Sequence, residues 1–351
     1  MVVLDAAPRG ELRGSTGHAP GFVGVAGEDS ELARRSVEVY RELSAFEPVG
    51  AVELAETSGG AEALAARAEA AATAGISASL LEPAEAARLA QRLVDPARVE
   101  AALHLPLDGA ARADVVTAAL RAQAEGASVR FVPGAKVTAI DLRGDRVGAV
   151  RAGGRSFAAD DIVLACGIWG PAVAELAGVD LPLAVVAHPY VYGPRRPRPS
   201  APSPLVRWPE RHVYGRDDGE RDGLGTSNHE PVVVPEPPER AELEWPGGAI
   251  EAAVAAATEL WPAERVCGLL SITPDRRPLL GPFGAIEGLW AAEAIWVTHA
   301  AGAAEALVAA MFGEPAAIDA LRPDRFGDDP TDELRAKAAE RYRDSIEAVV
   351  R

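Results

Sequence analysis

The chain has 351 residues, of which 48% are hydrophobic and 25% charged, a composition typical of a globular protein with a large core. The net charge of −17 argues against nucleic acid and anionic membranes as partners, and without an apolar run of about 18 residues we predict no membrane span. Two cysteines are too few for a disulfide framework and indicate a cytoplasmic protein, and without a Cys-x-x-Cys motif or a close histidine pair no metal site is predicted.

Helix and strand signals alternate along the first 180 residues, which predicts an α/β fold. Val2–Asp5 has the pattern of a buried parallel strand, and Ser30–Leu43 that of an amphipathic helix. The elements predicted after these are a strand over Ala51–Ser58, helices over Gly60–Ala74, from Pro83 and over Ala113–Gln123, and strands over Val129–Val132, Lys136–Leu142, Arg146–Ala152, Arg155–Ala158 and Asp161–Ala165.

Beyond residue 182 the predicted strands alternate with Pro-rich loops, which indicates an antiparallel sheet. Its strands are predicted over Leu183–Tyr192, Leu205–Tyr214 and Leu224–His229. The chain then continues with a helix over Ala249–Leu260, short strands over Gly268–Pro274, Pro278–Pro282 and Leu289–Glu293, a helix over Thr298–Met311, and a helical segment to Arg351.

This order predicts two interleaved domains. A Rossmann-like parallel sheet that binds a nucleotide cofactor is expected from residues 1–45, 97–181 and 261–325. An antiparallel α+β substrate domain is expected from residues 46–96 and 182–260, followed by a C-terminal helical tail over 326–351.

The first strand ends in Asp5, and an acid in that position can accept hydrogen bonds from both hydroxyls of an adenosine ribose. The Gly-rich phosphate loop of such a motif lies about 20 residues before the acid. Here it would fall before Met1, so the sequence predicts a nucleotide site whose first strand and Gly-x-Gly-x-x-Gly loop are missing. The alternative is an ordinary aspartate that caps a turn.

His18 follows in the loop Gly14-Ser15-Thr16-Gly17-His18-Ala19-Pro20-Gly21. Small residues let the backbone approach a cofactor, and an imidazole there can act as a nucleophile or a covalent anchor. The alternative is a histidine that only makes hydrogen bonds.

The run from Ile295 to Gly302 leads from a strand end into a helix whose first turn is small. Free amides and the positive end of the helix dipole would favour an anion or an electron-rich ring, such as a reduced flavin. A plain buried helix start is the alternative.

Polar aromatic side chains mark the strands of the second domain. His188 and Tyr190 lie on one predicted strand and Tyr214 on the next, where they can orient an amine or carboxylate substrate. Arg207 and His212 are further polar candidates, and a structural role is the alternative for each of them.

In this order the segments resemble the dimethylglycine/sarcosine dehydrogenase and oxidase family of the D-amino-acid-oxidase-like flavoproteins. The resemblance spans nearly the whole chain and is most specific in Gly-Ser-Thr-x-His-Ala and Trp-Val-Thr-His-x-Ala-Gly. Further segments that carry it are Leu103–Gly109, Ile162–Gly170, Ala187–Tyr190 and Ser271–Gly281.

The resemblance implies bound FAD, covalently attached at His18, and a catalytic pair formed by His188 and Tyr214. Relatives carry two adjacent tyrosines where this chain has Val213-Tyr214, so a catalytic tyrosine at the first position would be absent here. The remaining cofactor contacts that it implies are Asp5, Ser15, Thr16, Val137, Gly167, Trp169, Thr298, His299, Ala300 and Gly302.

The implied reaction is oxidation of an N-methylated amino acid by hydride transfer to flavin N5, with oxygen or an electron-transfer protein as the acceptor. Larger relatives continue into a folate-binding region about where this chain ends, so a separate folate-binding subunit is a candidate partner. Two alternatives stay open: a non-catalytic or truncated remnant of the fold, and an oxidase of the same superfamily acting on glycine or a D-amino acid.

Overall fold

The computed structural model describes residues 1–344 apart from residues 28, 91, 245–247, 257–261 and 315–317. Its helices form where the sequence has the 3.6-residue apolar period; in α1, for example, Ala33, Val37 and Tyr40 share the buried face. The α-helices of the described residues are α1 (Ser30–Glu42), α2 (Ser58–Thr73), α3 (Pro83–Leu89), α4 (Ala113–Gly126), α5 (Gly170–Glu175), α6 (Ala249–Ala256), α7 (Ala300–Met311) and α8 (Thr331–Glu340).

The strands are mostly short, and several are bounded by glycine turns. They are β1 (Val2–Leu4), β2 (Phe22–Val23), β3 (Phe46–Glu47), β4 (Ala51–Ala55), β5 (Ser79–Leu81), β6 (Ala101–Leu105), β7 (Gly109–Ala111), β8 (Arg130–Val132), β9 (Val137–Arg143), β10 (Arg146–Ala152), β11 (Arg155–Ala158), β12 (Ile162–Leu164), β13 (Ala184–Tyr192), β14 (Leu205–Trp208), β15 (Val213–Asp217), β16 (Asp222–Thr226), β17 (Glu264–Ile272), β18 (Leu279–Pro282) and β19 (Leu289–Glu293).

Parallel pairing occurs where the sequence predicted a nucleotide-binding sheet. β1 pairs with β8 in parallel, with Val3 opposite Phe131, and β12 pairs with β19 in parallel. The meander β9–β10–β11 forms a separate antiparallel sheet, as its tight turns predicted. These pairings confirm the predicted α/β fold class.

The largest sheet has eight strands in the order β17-β13-β16-β15-β14-β4-β6-β5. All its pairs are antiparallel except β14 with β4, so it is mixed rather than purely antiparallel. One face is apolar: Val206, Trp208 and Leu224 form a buried cluster with residues of α3 and α6. Side chains alternate along each strand, so the neighbouring positions point to the opposite face.

One predicted strand is wrong. Leu205–Tyr214 is two strands, β14 and β15, separated by a 3-10 turn over Pro209–Arg211 and a left-handed residue at His212. Pro209 has no amide hydrogen to donate to a ladder and fixes its own φ, so the chain turns there.

The other predicted elements form with small shifts of their ends, and α7 begins at Ala300 rather than Thr298. The predicted ends of two helices, at Leu260 and Arg351, lie outside the described residues. The eight-stranded sheet takes β6 and β17 from residues that the sequence assigned to the cofactor domain, and the domain boundaries stay a prediction. Within the described ranges, no helix is both long enough and apolar enough to cross a membrane.

Candidate active site

Two tyrosines lie on the polar face of the eight-stranded sheet, opposite the α3–α6 face. Strand pairing sets Tyr190 opposite Gly225, and Gly225 opposite Tyr214, so all three point to the same face. A Cβ at Gly225 would stand 2.3 Å from Cζ of Tyr214, and one at Gly223 would stand 2.4 Å from the Tyr190 hydroxyl. The two glycines of β16 therefore let both rings lie flat across the strand.

His188 connects this face to the C-terminal segment. Its Nε2 lies 2.9 Å from the Tyr214 hydroxyl and its Nδ1 lies 2.9 Å from the Tyr342 hydroxyl. Desolvation, with His229 nearby as a second cause, lowers the pKa of His188 to about 3, so the imidazole is neutral at pH 7. Burial raises the pKa of Tyr214 well above its usual range, so its hydroxyl keeps its proton. The predicted pair is thus a neutral, hydrogen-bonded unit.

Two residues of this network were not predicted from the sequence. Tyr342, which is fully buried, lies after α8, and its hydroxyl also lies 2.8 Å from Nε2 of His229. His229 stands in the loop after β16 and is 8% exposed. No motif marks either residue, because the contacts are made across more than 100 residues of chain.

Phe22 contacts both the tyrosine face and Thr298, which lies in the turn before α7 that is predicted to favour a reduced flavin. Its ring contacts the Tyr214 ring edge-on, with centroids 4.8 Å apart, and its carbonyl accepts a hydrogen bond from the Thr298 hydroxyl at 3.1 Å. The guanidinium of Arg207 lies 5.4 Å from the centroid of the same ring. Residues from three distant parts of the sequence therefore meet at β2.

The loop that carries His18 packs against two other predicted segments. Ser15–His18 forms a 3-10 turn, and a Cβ at Gly14 would stand 3.1 Å from the Trp169 ring. The Cβ of His18 lies against Gly268, which is paired with His188 on the neighbouring strand. His18 is 17% exposed, with its Nε2 3.7 Å from Glu242. The structure thus brings His18 and the His188 strand together.

A pocket of about 260 Å³ opens between this loop and the tyrosine face. Arg216, which is 7% exposed, lines it and donates to the Pro20 carbonyl at 2.6 Å, and it also pairs with Asp218 at 3.0 Å. Within the described part of the chain, its buried Nε has no hydrogen-bond partner. The other lining residues are Leu12, Thr16, Gly17, Ala19, Pro20, Ala111, Arg112, Ala113, Asp114, Tyr190, Tyr192 and Asp218.

Four further predicted cofactor contacts lie after β1, on β9 and in the turn after β12. Asp5 is exposed at the end of β1, and one of its oxygens accepts the Ala7 amide at 2.9 Å, so it also caps a turn. Val137 and Trp169 are part-buried and pack against one hydrophobic cluster. Gly167 is exposed, has φ of +56°, and has open space where a Cβ would stand.

At the start of α7 several amides already have protein partners. Gly302 donates to the Ser36 hydroxyl at 2.9 Å, and the His299 amide donates to the Trp296 carbonyl at 2.9 Å. Gly302 is also the point where α7 meets α1. The Gly302 and His299 amides are therefore already bound to protein groups, and the predicted electrostatic role of this turn stays a prediction.

Glu293 is a buried carboxyl that the sequence did not single out. It ends β19, is fully buried, and accepts the Cys166 amide at 2.6 Å. Burial raises its pKa to about 8, although the amides of Cys166 and Gly167 oppose that shift. A Cβ at Gly170 would stand 2.7 Å from this carboxyl. Glu293 thus fixes the Cys166–Gly170 segment, which contains two predicted cofactor residues.

Arg207, by contrast, lies in a buried charge cluster. Its Nη1 lies 2.9 Å from Glu53 and 3.3 Å from Asp108, and all three side chains are almost completely buried. Asp108 also accepts the Val25 amide at 2.9 Å. The arginine holds β14 to β4 and to the loop before β7. This arrangement favours a structural role for Arg207 over a role in substrate binding. His212 is the left-handed residue of the turn before β15, and its carbonyl accepts from the Thr226 hydroxyl.

These residues fit FAD. At one end an exposed carboxylate, Asp5, can accept ribose hydroxyls, and Gly167 presents open backbone. At the other end His18 stands beside the strand of His188, and Thr298 stands beside Phe22. A small cavity of about 30 Å³ also lies between Gly24 and the Thr298–His299 turn.

The family model of FAD dependent oxidoreductases matches residues 1–310. The chain is 30% identical to mitochondrial dimethylglycine dehydrogenase of Mus musculus over 279 residues, which covers 71% of the chain and 32% of that protein. It is 28% identical to mitochondrial sarcosine dehydrogenase of Mus musculus over 232 residues, covering 62% of the chain and 25% of that protein. The chain thus spans about a quarter to a third of the length of these relatives.

Among solved structures, L-proline dehydrogenase from P. horikoshii superposes with a TM-score of 0.82. The superposition covers 93% of this chain and 90% of that chain at 17% sequence identity. At this identity the likeness shows the fold alone, and it agrees with the predicted Rossmann-like α/β class.

Proposed function

This chain belongs to the FAD-dependent oxidoreductase family, and from that membership we propose that it oxidises an N-methylated amino acid of the dimethylglycine or sarcosine class. The observation that carries the proposal is the neutral His188–Tyr214 pair on the wall of the polar sheet face, beside the His18 loop. FAD, when bound, accepts the two electrons that leave the N-methyl carbon as a hydride.

The first task of the site is to favour the free amine, since a protonated amine has no lone pair to assist hydride loss. The side chains of His188 and Tyr214 are both neutral at pH 7, and Tyr190 beside them also keeps its proton because burial raises its pKa. Desolvation beside these neutral groups disfavours an ammonium ion, and the pocket carboxylate of Asp218 is already paired with Arg216. His188 Nε2 accepts from the Tyr214 hydroxyl, and we propose that His188 steers this ionisation through it.

The second task is to hold the substrate carboxylate. Arg216 supports this role because it is buried, lines the pocket and has an Nε donor left without a described partner. A guanidinium binds a carboxylate with charge-assisted hydrogen bonds. Its contacts to Pro20 and Asp218 keep the group in place before substrate arrives.

His18 is the proposed covalent attachment point of the cofactor. Its support is the Gly-Ser-Thr-x-His-Ala segment together with the position of the imidazole beside Gly268. Asp5 would hold the adenosine ribose and Val137 would contact the adenine, and Gly167, Trp169, Ser15 and Thr16 belong to the same proposed set of cofactor contacts. Oxygen or an electron-transfer protein is the proposed acceptor, and a separate folate-binding subunit is a proposed partner.

The test is anaerobic bleaching of the flavin absorbance by sarcosine, dimethylglycine, glycine, D-alanine and L-proline. We expect bleaching by the N-methylated glycines, and an increase in KM of at least about tenfold in Arg216→Met, the loss expected for a charged hydrogen bond. Acid precipitation of wild type should leave a yellow pellet, and His18→Ala should release its flavin. Bleaching by glycine or D-alanine alone would favour the oxidase alternative, and a purified chain unable to bind FAD would favour the remnant.

A further inference from the structure

Four side chains form one continuous hydrogen-bonded chain from the polar sheet face to the C-terminal segment: Tyr214, His188, Tyr342 and His229, here called the relay. We propose that the relay carries the proton of the substrate amine from Tyr214 to His229, which makes Tyr342 and His229 proton-relay residues of the reaction. The inference rests on the proposed function, which places the amine at Tyr214.

The direction of each hydrogen bond follows from the bond that His229 makes to the Glu230 carbonyl. His229 Nδ1 lies 2.8 Å from the Glu230 carbonyl, which can only accept, so Nδ1 carries the hydrogen. In a neutral imidazole Nε2 must then accept, and its partner is the Tyr342 hydroxyl at 2.8 Å. The Thr226 carbonyl is a longer alternative for that hydroxyl, at 3.3 Å.

The remaining assignments follow in the same way. The Tyr342 oxygen has given its only hydrogen to His229, so it accepts from His188 Nδ1–H. His188 Nε2 is then bare and accepts the hydrogen of Tyr214. Every donor has one acceptor, and all four groups start neutral.

The transfer moves only protons, and each group between the amine and His229 gains one hydrogen and loses one. The amine N–H bond breaks and its proton binds the Tyr214 oxygen, while the Tyr214 hydrogen moves to His188 Nε2. His188 Nδ1 passes its hydrogen to the Tyr342 oxygen, and the Tyr342 hydrogen moves to His229 Nε2. The amine becomes neutral and His229 becomes an imidazolium, which then loses a proton to solvent.

The position of Tyr342 suits a relay residue. It is fully buried against β13 and β17, in a cluster with Val186 and Ile272, so its hydroxyl has a fixed place. It also lies beyond residues 1–310, so the family match does not assign it a role.

Other titratable groups lie near the two histidines of the relay. Burial lowers the pKa of His229, the charge of Arg343 adds to that shift, and Glu230 opposes it through its carbonyl and its carboxylate. The groups that face His188 are Tyr214 from β15, Tyr342 from the C-terminal segment, His229 from the loop after β16 and, across Gly268, His18 from the loop before β2.

The hydrogen-bond order can be measured without turnover. In ¹⁵N-histidine-labelled protein, with His188→Gln and His229→Gln used for assignment, His188 should show a protonated Nδ1 and a bare Nε2. Tyr342→Phe removes the acceptor of Nδ1–H, so the Nε2–H form should gain population. His229→Gln should keep the wild-type form of His188, since its side-chain oxygen still accepts from Tyr342. A wild-type His188 protonated at Nε2 would overturn the relay.

The relay also predicts a pH-dependent defect. At pH 7 flavin reduction in Tyr342→Phe should slow by about tenfold or more with KM little changed, as expected when proton transfer is impaired. The defect should shrink near pH 10, where more substrate arrives as the free amine. Tyr40→Phe, which removes the hydroxyl of an equally buried tyrosine outside the relay, controls for lost stability. A defect of equal size at every pH would mean that Tyr342 is only structural.

The two proposals can fail separately. If none of the N-methylated amino acids reduces the flavin of the wild-type protein although His188 has the expected tautomer, the proposed function is overturned. The substrate amine is then also ruled out as the source of the proton. If wild type is active and the tautomer is wrong, only the relay is overturned.

Discussion

Replacing Glu293 with glutamine should make stability less dependent on pH. Burial raises the pKa of this carboxyl from 4.5 to about 8, so between these values the folded chain holds a proton that the unfolded chain has lost. Stability from this group is therefore fully present below pH 4.5 and is lost as pH rises through 8. Each pH unit inside the window changes the free energy of unfolding by at most about 1.4 kcal/mol.

Between pH 5 and pH 8 the wild type should thus lose about 3–4 kcal/mol relative to Glu293→Gln, which keeps an acceptor for the Cys166 amide but does not titrate. The assay is urea unfolding of both proteins at each pH unit and constant ionic strength. Glu62→Gln, at an exposed position of α2, should follow the wild type. A constant difference between wild type and Glu293→Gln across this range would refute the protonated, buried carboxyl.

Three further substitutions test packing. Gly302→Ala puts a Cβ 2.3 Å from the Leu32 carbonyl oxygen, so α1 and α7 must separate; we expect a loss of about 1–3 kcal/mol in urea unfolding, and an unchanged midpoint would contradict the close crossing. Glu53→Ala leaves the buried arginine of β14 short of a partner and should cost about 3–5 kcal/mol in the same assay; a loss below about 1 kcal/mol would show that the pair is solvated. Gly225→Ala should displace the Tyr214 ring and lower kcat at least about tenfold, and normal turnover would show that the ring contact is not needed.

Most of the fold could be predicted because its elements are marked locally. Strands β10, β11 and β19 begin and end at the predicted residues, since apolar alternation and glycine turns both delimit them. The α3 start was recognisable from Glu82 and Pro83, and the structure contains the capping box there. The break at Pro209 was missed because the apolar residues on either side of it continue the pattern of one strand.

The site was predictable only where its residues stand in segments with a pattern of their own. His188 and Tyr214 are polar aromatic residues on apolar strands, which is an unusual arrangement and can be noticed in the sequence. Tyr342 and Glu293 carry no such signal: the first contacts His188 across 154 residues and the second contacts Cys166 across 127. Such partners are set by tertiary packing, which a single sequence does not encode locally.

The geometry of the polar face depends on residues without side chains. Gly223, Gly225 and Gly268 each occupy a strand position where a Cβ would meet Tyr190, Tyr214 or His18 at 3.2 Å or less. Glycine in a strand weakens it, because glycine loses more backbone entropy on folding than other residues and has no side chain to pack. This loss of stability is concentrated on the two strands that flank β13, the strand of His188. A purely structural sheet has no reason to accept this loss of stability there, whereas a site that must place two tyrosine rings and a histidine against these two strands does.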